Sequence, residues 1–179
     1  MANLKAYNIA FKGLGLGEHE YEFQIGKRFF EYFDGGIAED GNVKINLQLE
    51  KQSALIVLWF HVEGTVKIQC DRCLEIFDQP IKSQNKVFVK YGEENFEEGD
   101  DVIWIGVDDT HINVAKLIYD FIILSIPIKH VHPEDASGKS QCNPDMLKRL
   151  NMMSVKGKSA EEPVSDSRWD ELKKLLDNK

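Results

Sequence analysis

The sequence predicts an α+β fold: an antiparallel β-meander, or partly closed sheet, covered by one long apolar helix. A flexible linker and a C-terminal amphipathic helix follow it. Three observations lead there. Residues 42–91 hold three stretches of alternating apolar and polar side chains separated by short turns. Residues 113–125 form the clearest helical pattern in the chain, and residues 132–165 lose apolar periodicity altogether.

The first stretch, "NVKINLQLE", turns Val43, Ile45, Leu47 and Leu49 one way and Lys44, Asn46 and Gln48 the other, the period of a half-buried strand. After "KQS" the chain runs apolar from Ala54 to Phe60, then alternates, with Val62, Val66 and Ile68 opposed to His61, Glu63, Thr65, Lys67 and Gln69. Cys70 shares the parity of Ile68 and ends this strand on its core side. In the third, Val87, Val89 and Tyr91 oppose Lys82, Lys86 and Lys90. Short turns between alternating strands imply antiparallel pairing with one wet face. Upstream, "LKAYNIAF" and "GEHEYEFQIG" read as strands joined through "GLGLG", and "KRFFEYF" as a short helix. A short strand "VIWIGV" follows the acidic "EENFEEGDD", whose six carboxylates in nine positions demand a solvated loop.

The helix "NVAKLIYDFIILS" has Asn113 as its N-cap candidate and Pro127 to bias Ile126 out of helical geometry. Val114, Leu117, Ile118, Phe121 and Ile122 recur at helical spacing, and Ile123 and Leu124 widen the stripe, so the helix needs cover on most sides. The organisation expected is a core domain over 1–131, a linker over 132–165 that can hold one short helix begun by Asn143 and Pro144, and a helix over 166–179. In that last helix Trp169, Leu172, Leu175 and Leu176 share a face.

The 179 residues carry 22 basic and 30 acidic side chains, a net charge of -8, which argues against polyanion binding driven by bulk charge. Locally the balance differs: residues 41–91 hold seven basic against five acidic side chains. Lys67, Lys82, Lys86 and Lys90 on the wet face, with Arg72 and Trp169, are the candidate contacts to RNA or a partner, although lysines are also what any wet sheet face displays. Three cysteines are too few for a disulfide scaffold and imply a reducing, cytoplasmic setting. "MANLKAYNIAFKG" lacks the pattern of a signal peptide, and "ALIVLWF" is too short to span a bilayer.

Cys70 and Cys73, in "IQCDRCLEIF", admit three readings: half of a metal site, a redox pair, or the remnant of either. A closed zinc site needs four ligands, commonly as two close pairs. The second half would have to come from "KHVHPEDASGKSQCNPD", which offers His130, His132, Cys142 and Asp145 but no second C-x-x-C. Spacing therefore predicts no resident metal or other cofactor, with a zinc-stabilised interaction module using Cys70, Cys73, His132 and Cys142 as the alternative. Redox chemistry in the manner of thioredoxin would need a thiol at a helix N-terminus, whereas this pair joins two antiparallel strands beside Asp71 and Glu75. "GLGLGEHE" lacks the helix that a phosphate-binding glycine loop requires. No catalytic constellation stands out, and the expectation is a non-enzyme without a small-molecule substrate.

"CDRCLEIF", "DDVIWI", "NVAKLIYDFIILSIPIKHVHPED" and "DSRWDELKKLL", in that order, resemble the YceD family of large ribosomal RNA subunit accumulation proteins, as does "GLGEHEYEFQIGKRFF" near the start. The resemblance implies a bacterial or organellar protein that supports large-subunit ribosomal RNA accumulation and ribosome assembly, by binding that RNA or a large-subunit ribosomal protein. Many members carry a second C-x-x-C after the H-P-E segment. Here only Cys142 stands in that region, followed by Asn143, Pro144 and Asp145.

Overall fold

The computed structural model describes residues 4–33, 35–92, 101–134 and 138–154. The chain divides into two compact units, Met1–Asn143 and Pro144–Lys179. The C-terminal helix expected over 166–179, with Trp169, lies outside the described residues.

The first unit is dominated by strands. Its main sheet has the order β2-β3-β4-β5-β6, formed by β2 (Gly17–Ile25), β3 (Asp40–Lys51), β4 (Leu55–Gln69), β5 (Ile76–Tyr91) and β6 (Val102–Ile105). The first four pair antiparallel in sequence order. Alternation fixes their register: Val43, Ile45, Leu47 and Leu49 of β3 lie opposite Gly64, Val62, Phe60 and Leu58 of β4. All but Gly64 are buried apolar side chains. A one-residue slip would turn every one of them to solvent. Gly64 interrupts the series because a Cβ there would run into the carbonyl oxygen of Asn42 and come within 2.7 Å of the Val43 Cα.

The expected architecture needs correction in three places. First, no long apolar helix covers the sheet among the described residues. The helical stretch is α2 (Ala115–Leu124), whose buried members are Ala115, Ile118 and Ile122, while Leu124 stands 76 % exposed. Ten residues at about 1.5 Å each cover about 15 Å, whereas the 16 residues of β5, at about 3.3 Å each, run to about 50 Å. The rest of the inner face is filled by side chains from short segments. Tyr7 packs on Phe23 and Phe29, Phe29 of α1 (Lys27–Phe30) packs on Phe30 and Phe33, Phe33 stacks on Tyr119 at 4.1 Å, and Phe60 meets Phe121. The protein is thus mainly β rather than α+β.

Second, the sheet is open, with β2 and β6 at its edges, and β6 pairs parallel with β5 (Phe88 with Val102, Tyr91 with Ile105). Third, "LKAYNIAF" is not one strand. It forms 3-10 turns around β1 (Asn8–Ile9), which pairs with β7 (Ile112–Asn113) in a separate two-stranded ribbon. Asn113 consequently sits in β7, one position before the Val114 cap, and its Oδ1 accepts the Ala115 N–H at 3.0 Å.

In the second unit, α3 (Pro144–Met153) has Asp145 in its first turn, within 3.2 Å of the Lys148 ammonium, and none of its residues is buried.

Candidate metal centre

Cys70 follows the last residue of β4, and the chain turns through Asp71, Arg72 and Cys73 to reach β5. Parity aims Cys70 inward, and it is fully buried; Cys73 is buried as well. Leu74, at φ 62°, is the sole non-glycine residue with positive φ among the described residues, and this left-handed step closes the turn. Its N–H donates to the Cys70 carbonyl at 2.9 Å, the Cys70 N–H donates to the Glu75 carbonyl at 2.9 Å, and Gln69 Nε2 donates to the Leu74 carbonyl.

Two further potential ligands arrive from residues 132–143, inside the stretch that composition marks as linker. Cys142 is buried, its Sγ 3.7 Å from that of Cys70 and 3.7 Å from His132 Nδ1. Cys73 Sγ lies 3.4 Å from the same nitrogen. The four donor atoms of Cys70, Cys73, His132 and Cys142 all fall within 4.8 Å of one another. Zinc bonds of about 2.3 Å to sulfur and about 2.05 Å to nitrogen, arranged as a tetrahedron, separate sulfurs by about 3.8 Å and sulfur from nitrogen by about 3.6 Å. The three separations of 3.7, 3.7 and 3.4 Å lie close to those figures, and thiolate with imidazole is a donor set that suits zinc.

Surrounding groups hold the two segments together. The Asp71 N–H donates to the His130 carbonyl at 2.7 Å, and Asp71 Oδ2 accepts the His130 N–H at 2.7 Å. Glu75 Oε1 accepts from Asn143 Nδ2 at 2.7 Å, anchoring the residue after Cys142. Phe77 lies against the His132 ring, centroids 4.6 Å apart. The Arg72 N–H points at Cys70 Sγ from 3.5 Å. Burial pushes the Cys70 thiol up, but donors at Cys73, Arg72 and His132 outweigh it and bring its pKa down to about 6. Burial, and the neighbouring Cys70, push the Cys142 thiol up. His130 and Asp145, the other residues weighed as ligands, are not in the cluster; His130 Nδ1 lies 3.6 Å from Asp71 Oδ1 instead.

The lysines picked out from sequence stand on the opposite, outer face of the sheet. Lys67 pairs with Asp40 at 3.1 Å, and Lys82 with Glu63 at 3.4 Å. Lys86 Nζ sits 4.4 Å from the ring centres of both Trp59 and Phe88, and Lys90 Nζ is 5.7 Å from that of Trp104. Arg72 is exposed at the tip of the Cys turn. Sequence reasoning passed over the three rings. Trp59 was hidden inside an apolar run, although its parity opposes that of Leu58 and Phe60, and that parity was the available signal.

A mainly β fold whose strand turn carries two cysteines, completed to a Cys3His cluster from a later segment, defines a small sheet protein with a metal-ligand knuckle. Residues 58–176 match the model of the family described as large ribosomal RNA subunit accumulation protein YceD. The chain belongs to this family, and the matched region contains all four potential ligands. Neither a curated protein nor a solved structure matches the chain. No helix among the described residues is long and apolar enough to cross a membrane.

Proposed function

We propose that this protein is a non-catalytic binding factor in the accumulation of large-subunit ribosomal RNA, and that a structural zinc ion clamps its fold. The observation that carries the reading is the closure of Cys70, Cys73, His132 and Cys142 into one cluster within the region matched to the family. Four protein ligands fill a tetrahedron and leave no open position for water or substrate, which is the pattern of structural rather than catalytic zinc. Zinc bound there adds a covalent-strength link between the β4–β5 turn and His132 and Cys142 to the hydrogen bonds and the Phe77 contact that already join them. The work is then done by the surface that this clamp stiffens, on ribosomal RNA or a ribosomal protein of the large subunit.

The test is a deletion in the protein's own cells, complemented by the wild-type chain or by Cys142→Ser. The expected result is a deficit of large subunits and of their RNA on a sedimentation gradient, restored by the first and not by the second. Normal subunit profiles in the deletion strain would remove the functional reading. Less than one zinc per several chains, measured on protein purified without a histidine tag, would remove the clamp.

A second reading, a zinc-stabilised protein-interaction module, is favoured by the apolar groups beside the turn: Leu74 is 57 % exposed and Ile76 70 % exposed. Exposed apolar side chains two positions apart beside one turn offer an anchor for another protein where they form part of a larger patch. Capture of one stoichiometric protein partner, lost on Ile76→Asp and insensitive to nuclease, distinguishes this reading from the first.

A further inference from the structure

On the outer face of the sheet, lysine and aromatic side chains interlock. Along β5 the outward positions run Lys82, Gln84, Lys86, Phe88, Lys90. Trp59 of β4 lies directly across from Lys86, and Trp104 of β6 directly across from Lys90. The Lys86 ammonium is held between the rings of Trp59 and Phe88, 4.4 Å from each centre. Trp59 is 38 % exposed, unusual for the largest apolar side chain standing on a strand whose other face is the core. Next to it a groove of about 320 Å³ is lined by Asn46, His61, Lys82 and Gln84, groups able to hydrogen-bond to base edges, and by Glu63, whose charge Lys82 pairs at 3.4 Å.

We infer that this face, built on Trp59, Phe88 and Trp104 with Lys86 and Lys90 between them, is a stacking platform for single-stranded RNA. The inference rests on the ribosomal-RNA reading above and names the partner and the surface. Two features choose this occupant. Of the three rings Trp59 is exposed and Phe88 and Trp104 are half-buried; rings reached from solvent on an open sheet are what unstacked bases lie upon, while duplex RNA offers no free base faces. The cations favour a polyanion, and lysine is depleted at the cores of protein–protein interfaces. Charge also sets the direction of the track. Glu18, Glu20 and Glu22 stand outward on β2, at the opposite edge, so the strand of RNA runs over β3–β6 and stops short of β2.

The experiment is fluorescence anisotropy with a labelled twelve-nucleotide oligouridylate and the full chain, over a series of salt concentrations. The expected result is saturable binding that Trp59→Leu weakens on the order of tenfold and Trp59→Phe largely keeps, because the second retains a ring. Lys86→Ala with Lys90→Ala should reduce the slope of log affinity against log salt by about 1.4, two phosphate contacts' worth on a single strand. Thermal melts confirm that each variant is folded, and the Phe and Leu variants can be compared with each other even if both are less stable than wild type. Equal affinities for Trp59→Leu and Trp59→Phe, an unchanged salt slope, or equal binding of a duplex of the same length would overturn the platform. So would wild-type chain that captures a protein but binds no oligonucleotide. The two readings separate in cells: Trp59→Leu that fails to bind RNA yet restores large subunits ends this inference and leaves the functional one standing. Oligonucleotide binding with normal subunits in the deletion strain does the reverse.

Discussion

The sulfurs of Cys70 and Cys142 lie 3.7 Å apart although 72 positions separate the residues in the chain. Such proximity between two buried thiols, with a third sulfur and an imidazole nitrogen within 4.8 Å, requires a reason. Buried thiols alone pack as small hydrophobes and have no preference for one another. The zinc proposed above would supply that preference, and would make the cluster a folding element as well as a site.

Substituting Cys142→Ser removes one of the four donors and should drop the zinc content of purified protein well under one per chain. Wild-type protein holding zinc at a hundredfold excess over its dissociation constant gains about 2.7 kcal/mol. At roughly 2–4 °C per kcal/mol for a chain of this size, chelation should lower its melting temperature by roughly 5–10 °C. The serine variant should already melt near that lower temperature and should not respond to chelator. Elemental analysis and a paired melting curve check both outcomes.

Asp71 is not a donor to the cluster, yet it fixes the approach of the segment that carries His132. Its two hydrogen bonds to His130 are both 2.7 Å long. Asp71→Ala keeps the backbone bond and loses the carboxylate's, so His132 is held less firmly. Zinc affinity, read by competition with a chelating dye, should fall on the order of tenfold. The melting temperature of metal-free protein should stay within a few degrees of wild type.

Strands β3, β4 and β5 were legible because burial on one face imposes a period of two, and Val43 to Leu49 and Val62 to Ile68 keep it. β6 was legible as a strand within "VIWIGV", but its parallel pairing was not, since that depends on how the chain returns after Tyr91. Nor was it legible that the strand read over "LKAYNIAF" shrinks to the two residues of β1 and pairs with Ile112–Asn113, with 105 positions between Asn8 and Asn113. The apolar richness of residues 114–124 suggested a helix longer and better covered than α2; Ile123 and Leu124 widen the stripe in sequence, but Leu124 is left in solvent. The Cys3His set was reached from the sequence only as the alternative, because His132 and Cys142 are ten positions apart rather than a close pair; the hydrogen bonds of Asp71 to His130 and of Glu75 to Asn143, which flank them, have no sequence signature.

Acid sensitivity should include a contribution from the outer face. The Lys67 ammonium beside Asp40 holds its carboxyl below the usual range. A depressed carboxyl stabilises the fold at pH above its unfolded-state value, and that stability is lost as pH falls through the folded-state value. In Lys67→Ala the Asp40 pKa should return toward normal, so the two proteins differ at neutral pH and converge in acid. The difference is small, since both side chains are solvent-screened. Denaturant midpoints measured from neutral pH down to about pH 3, spanning the ordinary Asp range, check the convergence.

Leu74 pays for the turn. A β-carbon in the left-handed region costs roughly 1–2 kcal/mol, and the Leu74 side chain recovers little of it at 57 % exposure. Leu74→Gly should therefore keep zinc binding and raise stability by up to about 1 kcal/mol, less the entropy glycine gives back in the unfolded chain. A denaturation curve on zinc-loaded protein measures the change. A loss of stability would mean that the leucine makes a contact worth more than the strain.

Gly64 is the opposite case, a position where only glycine fits. It faces Val43 on one neighbouring strand and Ile81 on the other, within the inner-face series of β4. An added methyl would meet the Asn42 carbonyl oxygen, and the Val43 Cα at 2.7 Å, both backbone atoms that cannot swing aside. Relief requires β3 and β4 to part at a point where their ladder is otherwise continuous from Asp40–Lys67 to Lys51–Ile56. Gly64→Ala should cost about 2 kcal/mol or more, at the upper end of what overpacking exacts. Gly15→Ala, where nothing lies within 4 Å of the new carbon, should stay within about 0.5 kcal/mol of wild type. Urea unfolding of the two variants side by side decides it, and equal midpoints would show that the sheet gives at Gly64 more readily than its backbone contacts imply.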